Sequence, residues 1–161
     1  MKKMVSFAVI ILISAVVVFA ADPLEGYWLS IDDKTDKVTA SWHIYQDGGN
    51  LLGALMGAPG VKAGTLATRC TKQYSGYPIV GKVSEMKLLG TPFIYGLQKK
   101  SEGNWYGGKI IDPNDGNVYP CDLIFHASDG KKYREDRLEL KVFFIRQFWK
   151  KTTLAEAEKA F

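Results

Sequence analysis

The sequence predicts an all-β protein: an antiparallel barrel of about eight to nine strands, a long loop or short helix near residues 57–77, and a short C-terminal helix. Three observations predict it. Apolar and polar residues alternate with a period of two along most of the chain, the pattern of half-buried strands. Turn chemistry returns at intervals of about eight to twelve residues, as in antiparallel sandwiches and barrels. Glycines also lie inside predicted strands, at Gly53, Gly81, Gly96, Gly107 and Gly108. Such glycines weaken a flat sheet but let strands bend and close on themselves, and closure removes exposed edges.

The chain opens with Lys2 and Lys3, an apolar run over residues 5–19 and a small-residue site at Val18-x-Ala20. This is the pattern of a cleaved export signal over residues 1–20. It leaves one barrel domain, 21–161, exported to the periplasm or outside the cell. The mature chain has 141 residues and a net charge of +2, because both leading lysines depart and no acidic residue does. A near-neutral domain lacks the basic footprint of a nucleic-acid binder. No second apolar run approaches the roughly 20 residues of a membrane-spanning helix.

The first predicted strand is 26–31. Residues 38–45 follow, with Val38, Ala40, Trp42 and Ile44 on one face, and Asp47-Gly48-Gly49-Asn50 turns the chain into a return strand at 51–56. Residues 57–77 are glycine-rich and read as the loop, with 65–72 as the place for a short helix. Strands are expected at 78–83 and 93–98, then at 105–112 after the turn Ser101-Glu102-Gly103-Asn104. Pro113-Asn114-Asp115-Gly116 is strong turn chemistry: Pro presets φ, Gly accepts a positive φ, and Asn and Asp bond their own backbone. Strands at 118–126, 138–143 and 145–150 complete the set. Residues 152–161 carry an Ala/Glu/Lys helix pattern.

Cys70 and Cys121 form an even pair in an exported chain, and oxidising compartments favour a disulfide between them. Two free buried thiols are the alternative; neither cysteine lies in a Cys-x-x-Cys redox motif. The two histidines, His43 and His126, fall in separate strands with no companion at metal-ligand spacing. Asp112 to Gly116 lacks the distal Glu of a calcium loop and is explained by a hairpin turn. Adjacent carboxylates at Asp32-Asp33 and Glu135-Asp136 point apart in strands and turns, and no Gly-x-Ser-x-Gly elbow is present. No metal, cofactor or catalytic set is therefore expected. The aromatic residues, 12% of the chain, either fill a core or line a cavity for an apolar or amphipathic ligand. The candidate lining residues are Trp42, Phe93, Tyr95, Trp105 and Phe125.

Gly26-Tyr27-Trp28 resembles the Gly-x-Trp opening of lipocalins. That resemblance implies that Trp28 closes the barrel floor with an Arg from the last strand stacked on it, here Arg146. Further motifs run along the whole mature chain. They are Ile31-Asp32-Asp33, Asp47-Gly48 through Gly53, Cys70, Pro78-Ile79-Val80-Gly81, Trp105-Tyr106-Gly107-Gly108-Lys109-Ile110-Ile111-Asp112-Pro113 and Gln147-Phe148-Trp149. Together they resemble a bacterial exported family known only as domain of unknown function 2147, whose members are lipocalin-like barrels without an assigned activity. The resemblance implies a barrel in the cell envelope and transfers no catalytic residue. The chain departs from that family between Leu140 and Ile145, where a longer glycine-containing return is usual. The expected function is non-catalytic binding of a small hydrophobic or amphipathic ligand. The alternative is an envelope or host interaction protein with a filled barrel, acting through its loops, above all 57–77.

Overall fold

A computed structural model describes residues 20–161. The expected export signal thus lies outside the described residues, apart from Ala20. Among the described residues nine strands form one antiparallel sheet: β1 Gly26–Ile31, β2 Val38–Asp47, β3 Asn50–Gly57, β4 Pro92–Tyr95, β5 Gln98–Ser101, β6 Asn104–Ile111, β7 Val118–His126, β8 Arg137–Val142 and β9 Ile145–Thr152. The order β4-β3-β2-β1-β9-β8-β7-β6 closes on itself through β4–β6, where Ile94 faces Ile110 and Tyr95 faces Lys109. The result is a closed eight-stranded barrel, with β5 as a ninth strand paired only to β6.

Side-chain parity decides what lies inside. Trp28 and Ser30 of β1, Ala40, Trp42 and Ile44 of β2, Leu138 and Leu140 of β8, and Trp149 of β9 are buried and point inward. Gly53 makes the β3–β4 seam possible, since a Cβ there would stand 2.9 Å from the Cβ of Ile94. The strand expected over 93–98 is broken in two because Gly96 takes φ +74, and the pieces are β4 and β5.

The expected loop is longer than its sequence signal, running over residues 58–91 without a helix at 65–72. Residues 78–83 do not form a strand. The hydrogen bonds Ala67 N–H to Met86 O (2.9 Å) and Leu88 N–H to Thr65 O (2.7 Å) pair the two flanks of the loop. Residues 78–83 are thereby left at its far end with no strand to join, and a single 3₁₀ turn, Val83–Glu85, follows. The loop lies against the barrel wall through Tyr77, edge-on to Tyr95 at 5.2 Å. It is fastened to the β6–β7 turn by Arg69 Nη1 donating to Asn114 O (2.8 Å) and Tyr74 OH donating to Gly116 O (3.0 Å).

The expected Cys70–Cys121 bridge is not formed; both thiols are free and buried. Each belongs to a different layer, Cys70 in the loop beside Tyr74 and Cys121 in β7 opposite Gly108. Burial pushes both thiols up, Cys121 to about 12 with help from Asp122, so neither is a thiolate at neutral pH. Helix α1, Leu154–Lys159, is opened by a Thr153/Glu156 capping box and tied to the barrel by Ser41 Oγ donating to Ala157 O (3.0 Å). Among the described residues no helix is long and apolar enough to cross a membrane.

Candidate functional site

One end of the barrel is closed. Trp28 lies there, wholly buried, its indole N–H donating to Leu24 O at 2.8 Å and its ring edge-on to Phe125 at 6.4 Å. The cation over Trp28 is Lys151, 5.3 Å from the ring centre, and not Arg146. Parity gives the reason. In β9 Trp149 and Lys151 face inward, and Lys151 is the direct cross-strand partner of Trp28. Arg146 has the opposite parity and stands on the outer wall, where it ion-pairs with Glu139. Asp22 completes the closed end, accepting from Trp105 Nε1 (3.0 Å), Leu24 N–H (3.1 Å) and Gly103 N–H (3.4 Å), with Lys99 Nζ at 3.2 Å. Burial pushes the Asp22 carboxyl up, but these hydrogen bonds outweigh it and hold the group below its ordinary value.

The other end is open and holds a cavity of about 370 Å³. Trp42 and Trp149, stacked at 5.2 Å, stand between this cavity and the Trp28 cluster. Leu55, Ile111 and Leu140 continue the apolar wall, whereas Asp112, Asn114 and Gln147 supply polar groups. Ser30 and Thr39, also in the lining, satisfy each other at 2.8 Å. No Lys, Arg or His lines the cavity among the described residues. The Trp42 indole N–H is buried without a hydrogen-bond partner among them.

Of the aromatic residues read from the sequence as lining candidates, Trp42 lines this cavity and four do not. Phe93 and Tyr95 are buried in β4, Tyr95 beneath Tyr77 of the loop. Trp105 and Phe125 belong to the closed end. Sequence reasoning missed Trp149, Tyr119 and Gln147, although Gln147 and Trp149 share one parity in the Gln-aromatic-Trp motif. The histidines do not converge. His43 is stacked between Tyr27 and Tyr45 on the outer wall, and burial lowers its pKa despite the opposing charge of Glu25. His126 Nε2 lies 2.7 Å from Glu139. Glu139 is fully buried although it faces outward; burial raises its pKa, yet Arg146 and His126 together hold it below its ordinary value. No group of three His, Cys, Asp or Glu side chains among the described residues could hold a metal ion.

A closed antiparallel barrel with an aromatic floor and an apolar pocket at its open end defines the lipocalin-like class. The family model for "Uncharacterized protein conserved in bacteria (DUF2147)" matches residues 26–154, and the chain belongs to that family. No curated protein matches it. Among solved structures the chain is similar to protein HP1028 from the human pathogen Helicobacter pylori, described as belonging to the lipocalin family. The match has a TM-score of 0.60 at 15% identity and covers 85% of this chain and 88% of that one.

Proposed function

We propose that this protein is an exported, non-catalytic binding protein that holds a small amphipathic molecule, uncharged or cationic, at the open end of its barrel. The observation that carries the reading is the 370 Å³ cavity itself, apolar along Trp42, Leu55, Leu140 and Trp149 and large enough for a small ligand. Its charge pattern narrows the class. A carboxylate entering this lining meets no cation and approaches Asp112, and a buried charge without a partner is costly. A neutral polar head fits Asn114 and Gln147, and an ammonium head fits Asp112. The lipocalin-like fold of the structural neighbour agrees with small-ligand binding. The cavity also disfavours the filled-barrel alternative, whose axis would be occupied by side chains.

The test is a titration with neutral N-phenylnaphthylamine and anionic anilinonaphthalenesulfonate, read by fluorescence. The neutral dye is expected to bind at least about fivefold more tightly, in keeping with roughly 1 kcal/mol per factor of five. Ala40→Phe, which places a ring in the cavity, removes that binding. Equal or stronger binding of the anion, or unchanged dye binding by Ala40→Phe, counts against the proposal. Native mass spectrometry of protein purified gently from its own envelope should reveal a co-purifying small molecule of a size that the 370 Å³ cavity can hold.

A further inference from the structure

We infer that the β8–β9 hairpin tip is a lipid-bilayer anchor that seats the cavity mouth on a membrane surface. The hairpin turns through two residues only, Phe143 and Phe144, directly after the pair Val142–Ile145. Phe143, Phe144 and Ile145 are 58%, 100% and 64% exposed, a run of large apolar side chains at one apex. Phe143 adopts φ 51, a left-handed conformation that costs a bulky residue energy and is normally filled by Gly or Asn. The backbone gains nothing from Phe there, and at 58% exposure contacts within the protein account for only part of the ring.

Three features favour a bilayer as the occupant. The tip is convex and narrow. A stable protein interface takes roughly 800 Å² from each partner, and three side chains supply about half of that. Apolar surface is also continuous from tip to cavity, because Phe143 rests edge-on against Tyr119 (6.2 Å), and Tyr119, Val142 and Ile145 all line the cavity. Finally, Lys141 and Arg146 are cross-strand partners one step behind the tip, where an inserted hairpin meets lipid headgroups. Arg146 is already paired with Glu139, so the apolar tip and not charge dominates binding. Docked in this way, the mouth opens onto acyl chains, and a small amphipathic ligand passes between bilayer and barrel without crossing water. This last step rests on the proposed function; the docking does not.

The experiment is co-sedimentation of the mature protein with vesicles of phosphatidylcholine, and of phosphatidylcholine containing phosphatidylglycerol. Partitioning is expected on both, with little dependence on salt. Phe144→Ser, at a side chain fully in solvent, should weaken it about tenfold, the scale of one aromatic side chain leaving an apolar medium. Phe143→Asn/Phe144→Ser should abolish it while neutral-dye binding in solution persists. Conversely, Ala40→Phe should lose the dye and still bind vesicles, which separates failure of the anchor from failure of the cavity. The inference is overturned by no partitioning on either vesicle or by unchanged partitioning of the double variant. Binding that requires phosphatidylglycerol and disappears in high salt, or a dimer in solution that Phe144→Ser dissociates, overturns it as well.

Discussion

The two ends of the barrel are built from the same alternation of apolar and polar residues but are completed in opposite ways. At the closed end polar atoms find partners: Trp28 with Leu24, Trp105 with Asp22, Asp22 with Lys99, and Lys151 over two aromatic rings. At the open end the indole N–H of Trp42 has no partner among the described residues, a cavity replaces packing, and phenylalanines stand in water. Satisfied polar groups and dense packing hold a fold together; exposed apolar surface and empty volume do not. The difference separates an end that stabilises the barrel from an end free to meet something else.

The largest expected effect falls on the closed end. Asp22→Ala strips Trp105 Nε1 and the Gly103 N–H of their acceptor inside the protein and leaves Lys99 without its buried counter-charge. Removing one member of such a network costs about 3 kcal/mol, and urea unfolding should show a loss of that order. A loss below about 1 kcal/mol would mean that the closed end is not the more tightly determined of the two.

Acid should act on the same contrast. The carboxyls of Asp22 and Glu139 are both held below their ordinary values. Their contribution to stability is therefore complete above the unfolded-state values, near pH 4, and is lost as pH falls through the depressed folded values. The urea midpoint should be lower at pH 3 than at pH 6. In the Asp22→Asn/Glu139→Gln variant that difference should shrink, in part only, because Asp32, Asp115, Asp129 and Glu156 are also depressed by hydrogen bonds within their own turns and cap. Dye binding at the open end, lined by one carboxylate, should change far less between these pH values than stability does.

How far the sequence reveals this arrangement depends on the range of the interaction. Alternation and turn chemistry are local, and they place eight of the nine strands within a few residues. The 78–83 difference is non-local: Ile79 and Val80 look like strand residues, but the hydrogen bonds Ala67 N–H to Met86 O and Leu88 N–H to Thr65 O fold them into a loop. Alternation also states which residues share a face without stating which face is inside. Yet Arg146 and Trp149 have opposite parity, so a Trp149 in the core already excludes Arg146 from the floor. Lys151, on the inward parity, was legible as the partner of Trp28. The cavity was less so, since it depends on small side chains at Ser30 and Ala40 meeting across strands whose register the sequence does not print. Glu139, between Leu138 and Leu140, reads as a solvated outward charge, and only tertiary contact with His126 and Arg146 buries it.

The smallest expected change in stability is the most informative about the open end. Phe143→Gly exchanges a strained left-handed Phe for a residue that accepts φ 51 freely, and it gives up the edge contact with Tyr119. Relief of about 1–2 kcal/mol set against an aromatic pair of about 0.5–1.5 kcal/mol leaves a net gain of roughly 0.5 kcal/mol, an increase in Tm of about 2 °C. The gain should come with weaker vesicle binding. A substitution that stabilises the barrel while reducing its attachment identifies a position kept for contact rather than for folding. If Phe143→Gly instead destabilises the protein by 1 kcal/mol or more, the ring belongs to the packing of the mouth, and the two ends differ less than their exposed surfaces imply.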